Sequence, residues 1–222
     1  MKYLLMALLF SGCGGGTFYV VTWPSPTPTA SASPSPSVVE TLVSSYNAYL
    51  QSQGTDPITP GLHCELYNVP NMPATPCLST ASIAGCSAIS SSSGFTGVAS
   101  FLLSTAFNQP NEAGTAGFNL LPQALQGLYA SNFEIVCTGY FINPDNNFHE
   151  FDVSSDDGSL LYIGGSLVVQ NDGEHSVTDV KGNKFLQSEV YSFQLDYFQG
   201  PGNVALVVNE DGAVLSASNL YH

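Results

Sequence analysis

Residues 148–173, FHEFDVSSDDGSLLYIGGSLVVQNDG, constrain the fold of this chain more than any other stretch. His149, Phe151 and Val153 share one face of a first strand, and Leu161 and Ile163 one face of a second. A third strand, Leu167-Val168-Val169, leads into Asn171-Asp172-Gly173. Apolar alternation with period two, broken by Gly and Asp, predicts a three-strand meander. In the first turn, Ser155-Asp156-Asp157-Gly158, Gly158 is expected to adopt a positive φ and the carboxylates to accept backbone N–H groups. Asn171-Asp172-Gly173 reads as a hairpin turn with a type I′ preference.

The same alternation recurs downstream. Tyr191, Phe193, Leu195 and Tyr197 share a face, the turn-rich loop Phe198 to Asn203 follows, and Val204 to Val208 forms the next strand before the turn Asn209 to Gly212. Upstream the period changes. Ser37 and Glu40 form a capping box, and Val39, Leu42, Val43, Tyr46, Tyr49 and Leu50 then follow helical spacing until Gly54 and Pro57 stop it. This short amphipathic helix is expected to dock on the β core. Between Asn68 and Ser131 the chain is rich in Ser, Ala, Gly, Pro and Asn, including the run Ser90 to Ser93, and reads as a surface loop zone. Thr96 to Phe107 and Leu120 to Tyr129 can each supply one short element.

These strands together resemble the protective-antigen (PA-14) domain family. The matching elements are Phe151-Asp152-Val153, the Ser155 to Gly158 turn, Leu161-Tyr162-Ile163, Gly165, and Val168 to Gly173. Gly164 stands where the family often has Asp. Phe133 to Tyr140 resembles the preceding strand with its Thr-Gly-aromatic turn, Gly61 to Tyr67 the opening strand, and Tyr191 to Val208 with Asn219-Leu220-Tyr221 the last strands. The likeness spans residues 60–222, is strongest over 133–208, and leaves 68–132 poorly matched. It implies an all-β sandwich or barrel, here with a short N-terminal helix.

The resemblance also implies a site. In the sugar-binding members, fungal flocculins and related adhesins, a tandem Asp pair joined by a cis peptide holds Ca²⁺, which in turn holds sugar hydroxyls. The pair here is Asp156-Asp157. Two hard oxygen donors suit a hard cation, provided the backbone is reshaped so that adjacent side chains converge. Those adhesins take a further Asn ligand from the loop after the strand matching Tyr191 to Tyr197. That position falls here at Gln199, a departure, with Asn203 four residues on. Tyr162, Phe198 or Tyr197 can stack on a sugar ring, although core packing is the plainer role for Tyr197. Alternatively, Asp156 and Asp157 merely cap turn N–H groups.

Charge and cysteines bound the partners. Three residues are Lys or Arg, 17 are Asp or Glu, and the net charge is −14, which argues against nucleic-acid phosphates and anionic membrane surfaces. Of five cysteines, Cys13 stands apart, while Cys64, Cys77, Cys86 and Cys137 form an even set suited to an exported chain. Three pairings are open; the favoured one is Cys77–Cys86, closing a short loop, with Cys64–Cys137 joining two predicted strands. Lys2 followed by Tyr3 to Phe10 is a charged and then apolar leader, too short to span a bilayer, and Ser11-Gly12-Cys13 resembles the bacterial lipobox. Residues 1–13 are thus read as a lipoprotein signal with Cys13 lipidated, 14–37 as a tether (Pro-rich over Pro24 to Ser37), 38–59 as helix and linker, and 60–222 as the domain. Gly14 after the cysteine implies, by resemblance, sorting to the outer membrane.

Catalytic motifs are sparse. His63, His149, His175 and His222 form no metal-protease pattern, and neither a Gly-x-Ser-x-Gly elbow nor a phosphate-binding Gly loop is present. His149, at an inward strand position, reads as a core residue. The expectation is therefore a non-enzymatic, carbohydrate-binding or adhesive lipoprotein, held to the membrane through its N-terminal lipid alone, with calcium as cofactor. The alternatives are a structural or protein-interaction module of the cell envelope, or an accessory protein of a polysaccharide-degrading system.

Overall fold

The computed structural model describes residues 37–89, 97–113 and 117–222. The lipobox at Cys13, the spacer before Ser37 and the run Ser90 to Ser93 lie outside them.

Helix α1 (Val38–Ser52) begins with the capping box: the Ser37 hydroxyl accepts the Glu40 N–H, and the Glu40 carboxylate accepts the Ser37 N–H. Its Val39, Leu42, Val43, Tyr46 and Leu50 pack with Ile58, Ile142, Val190 and Tyr221, so the helix docks as its spacing requires. Tyr49 falls off that face and is exposed.

Two antiparallel sheets face each other. The first runs β4 (Gly97–Leu103), β1 (Leu62–Asn68), β6 (Phe133–Asn143), β11 (Glu189–Gln199), β8 (Ser159–Ile163), β9 (Ser166–Asn171), and β14 (Leu220–Tyr221) also pairs with β6. The second runs β10 (Thr178–Leu186), β7 (Asn147–Asp156), β12 (Asn203–Glu210), β13 (Ala213–Val214), and β5 (Asn108–Ala113) also pairs with β12. Leu62, Leu66, Phe133, Phe141 and Leu195 point inward from the first sheet and meet Phe151, Val153, Leu206 and Val208 from the second. Phe141 and Phe151 cross edge to face at 5.9 Å.

The expected meander is half right. Strands β8 and β9 form a hairpin closed by Gly164 and Gly165, both at positive φ. Strand β7 does not join them; it lies in the opposite sheet, paired with β10 and β12. The Asp156-Asp157-Gly158 turn is thus a corner between sheets rather than a hairpin. Asn171-Asp172-Gly173 is likewise no hairpin, because residues 172–177 carry the chain from β9 in the first sheet to β10 in the second. Gly200-Pro201-Gly202 makes a third crossing, from β11 to β12, and the loop is shorter than expected because β11 continues through Gln199.

The 68–132 segment is more than surface loop. Its start covers the outer face of the first sheet, where Val69, Leu78 and Ile89 enclose Leu160 and Phe198 in a second small core. Both Asp172 carboxylate oxygens pin it, accepting the Leu78 N–H at 2.8 Å and the Ser79 N–H at 3.0 Å. The Cys77–Cys86 disulfide closes this segment, flanked by the short parallel pair β2 (Pro76–Cys77) and β3 (Ser87–Ala88). Cys64–Cys137 bridges directly opposed residues of β1 and β6. Helix α2 (Gln123–Gln126) is one turn long.

Candidate metal and ligand site

The three sheet crossings at 156–158, 172–177 and 200–202 gather at one end of the sandwich, because β7, β9 and β11 all finish there. The Asp156–Asp157 peptide is cis. Both side chains line an open hollow of about 560 Å³ together with Glu174, His175, Gly202 and Asn203. The donors facing it are largely oxygens, and neither Lys181 nor Lys184, the lysines among the described residues, lines it.

Asp157 is held in place by backbone. Its Oδ2 accepts the Gly200 N–H at 2.7 Å and its Oδ1 accepts the His175 N–H at 3.0 Å. Burial pushes its carboxyl up to about 6; the Gly200 and His175 N–H groups oppose that shift, and the charges of Asp156 and Glu174 add to it. Burial also raises Asp156, against the pull of His175 and the Val177 N–H. Under Asp156, the buried Tyr197 hydroxyl lies 2.6 Å from the Asp156 carbonyl oxygen and 2.5 Å from Gln199 Oε1. The corner therefore presents paired carboxylates short of positive charge on a rigid floor. That donor set fits a hard cation such as Ca²⁺, with Asp156, Asp157 and Asn203 as the residues able to hold it.

Other expected site residues are placed differently. Gln199 is fully buried: its Oε1 faces Tyr197, and its Nε2 donates to the Gly200 and Asn203 carbonyls at 2.9 and 2.6 Å. It braces the loop instead of facing the hollow, while Asn203 is exposed and does face it. Phe198 is also fully buried, so it cannot stack on a sugar. Tyr162 lies elsewhere, in a groove of about 750 Å³ on the outer face of the first sheet with Tyr140, His63 and Gln194. Glu174 and the His175 N–H were missed in the sequence; they sit just past a turn read as a plain hairpin.

Gly158 serves a purpose other than the expected one. It does not have a positive φ. A Cβ there would lie 2.3 Å from Phe198 Cε1, 2.8 Å from the Gly173 nitrogen and 3.0 Å from the Gly173 oxygen. The corner needs Gly because it is pressed between the second core and the next crossing. Gly158→Ala is expected to cost about 2–3 kcal/mol in chemical denaturation by overpacking, and a stability within error of wild type would refute that account.

Next to Tyr162, Asp196 carries a carboxyl that burial raises to about 6, although the Gln194 side-chain amide lowers it. Its folded value lies above its unfolded one, so stability is fully present below the unfolded value of 3.8 and lost as pH rises through about 6. Asp196→Asn is expected to stabilise the protein by about 2 kcal/mol at pH ~8 and to change little near pH ~3. Urea denaturation at the two pH values reads this directly, and an equal effect at both would sink it.

The PA14 domain model matches residues 97–213, more than half of the 222-residue chain. The match begins with β4, inside the 68–132 segment that the sequence reading found poorly matched. Among solved structures, the PA14 domain of the MpAFP antifreeze protein aligns at 19% identity and TM-score 0.54 over 75% of this chain and 92% of that one. A PA14 sugar-binding domain from an RTX adhesin aligns at 16% identity and TM-score 0.54, over 74% and 99%. An anti-sigma factor domain-containing protein aligns at 15% identity and TM-score 0.50 over 73% of this chain, which spans 47% of that longer one. At these identities the likeness is one of fold. No curated protein matches the chain. The domain match and the corner-linked sandwich place this chain in the PA14 domain family.

Proposed function

We propose that this protein is a non-enzymatic carbohydrate-binding or adhesive module whose ligand is held through Ca²⁺ at Asp156 and Asp157. The observation that carries this reading is the convergence of the two buried carboxylates on an open hollow that Asn203 also lines. A sugar presents vicinal hydroxyls, which can complete the oxygen shell of a cation that the protein ligates on one side only. The solved relative described as a sugar-binding domain from an RTX adhesin supports the ligand class. In this reading a lipid on Cys13 anchors the chain to the bacterial envelope at the outer membrane, and the Pro24–Ser37 spacer lifts the hollow away from it.

The test is retention of the purified chain on a panel of immobilised neutral mono- and disaccharides, in millimolar CaCl₂ and in EDTA. Capture in calcium that EDTA abolishes supports the proposal. Capture unchanged by EDTA removes the cation from it, and no capture by folded protein in either buffer overturns the sugar reading.

A further inference from the structure

At the opposite end of the sandwich one buried imidazole is ringed by three carboxylates. His149, near the start of β7, is 4% exposed. Asp145 comes from the β6–β7 connection, Glu210 ends β12, and Asp211 begins the turn into β13. His149 Nε2 lies 3.1 Å from Asp145 Oδ1, while Nδ1 lies 3.1 Å from Glu210 Oε1 and 3.0 Å from Asp211 Oδ2. Asp211 is fixed in place: its Oδ1 accepts the Glu150 N–H at 2.9 Å, and its own N–H donates to the Glu150 carbonyl at 2.9 Å.

A neutral imidazole has one N–H. Donated from Nε2 to Asp145, it leaves the Nδ1 lone pair facing two carboxylate oxygens, a repulsive arrangement unless a cation sits among them. Lys184 stands opposite His149 across the β7–β10 ladder and forms no ion pair with these carboxylates. Even a protonated ring would set one positive charge against three negative ones, leaving two in excess. His149, Glu210 and Asp211 each offer one ligand atom within 4.8 Å of the other two. Zinc bonds of about 2.0–2.2 Å set tetrahedral ligand atoms about 3.4 Å apart, so the two distances from Nδ1 need to open by only a few tenths of an ångström.

We propose that His149 Nδ1, Glu210 and Asp211 form a second cation site, for a zinc-type first-row divalent ion, distinct from the Asp156–Asp157 corner. Asp145, holding Nε2–H, supplies the carboxylate that orients a metal-bound histidine. A nitrogen in the set favours zinc-type ions over Ca²⁺, whereas carboxylate and amide oxygens favour Ca²⁺ at the other end. The two sites lie about 23 Å apart along β7 at ~3.3 Å per residue. The half-exposed Asp211 side chain leaves an open approach. An ion here ties the β12–β13 turn to the start of β7, beside the Asp145 connection.

The test is calorimetric titration of the purified full chain with ZnCl₂ in saturating CaCl₂. One equivalent is expected to bind, with a rise in melting temperature. The Glu210→Gln, Asp211→Asn double variant is expected to weaken zinc binding by about 100-fold. The asparagine at 211 can still accept the Glu150 N–H, so circular dichroism should report an intact fold. Asp157→Asn should leave zinc binding unchanged. Folded wild type that binds no zinc, zinc binding that survives in the double variant, or zinc binding lost in Asp157→Asn would each overturn the proposal.

Discussion

Replacing Cys64 and Cys137 together with alanine is expected to lower stability by about 4 kcal/mol, and the melting temperature by roughly 10 °C or more. The two cysteines are 73 residues apart in sequence and sit opposite each other on β1 and β6. Their cross-link therefore closes a long loop in the unfolded chain, and loop-closure entropy grows with loop length. Both sulfurs are buried in the main core, so the variant also loses packing beside Leu62 and Leu66. The Cys77–Cys86 bridge closes a span of nine and secures only the segment covering Phe198. Its removal is expected to cost about 2–3 kcal/mol by the same rule. Urea denaturation of the two alanine pairs checks the order. Equal losses, or a larger loss for the short loop, would show that the long-loop entropy is not what the first bridge contributes.

What the sequence disclosed was local, and what it hid was long-range. Burial of His149, Phe151 and Val153 follows from alternation within one strand, which any window of the chain contains. Which sheet that strand joins does not. β7 and β8 are separated by two residues, yet β7 pairs with β12 and β10 while β8 pairs with β11 and β9. That choice depends on Ala205 meeting Asp156, a pairing 49 residues apart. Gln199 was legible in principle: continuing the inward series Tyr191, Phe193, Leu195, Tyr197 by one step places it inside, and only the Gly-Pro-Gly that follows made it look like loop. Phe198 was not legible, because the groups that bury it come from Val69, Leu78 and Ile89, a segment without periodicity of its own. His149 was correctly read as inward, but its carboxylate neighbour Asp211 lies 62 residues further along the chain, so no spacing rule could collect the cluster.

The Asp156→Asn, Asp157→Asn double variant is expected to abolish calcium binding, a loss of more than about 100-fold in affinity, because it removes both charges from a site that offers Ca²⁺ few others. The fold should survive. Asparagine retains an oxygen to accept the Gly200 N–H or the His175 N–H, and the Tyr197 hydroxyl contacts the Asp156 backbone carbonyl, which the substitution leaves in place. The metal-free variant is even expected to be the more stable protein at neutral pH. In wild type the Asp157 carboxyl is pushed up to about 6, above its unfolded value of 3.8, so the stability present at low pH is lost as the pH rises through about 6 and a buried charge forms. Calcium is expected to restore that loss by binding the ionised form. Its affinity is accordingly expected to fall as pH drops below about 6, approaching tenfold per unit for one displaced proton. Calorimetry at pH ~7.5 and ~5, with melts of wild type and variant in EDTA, separates these contributions. A calcium affinity indifferent to pH over this range would mean that Asp157 is not a ligand. A variant that retained full calcium binding would leave the corner as a structural joint between the sheets, with its carboxylates doing no more than capping the Gly200 and His175 N–H groups.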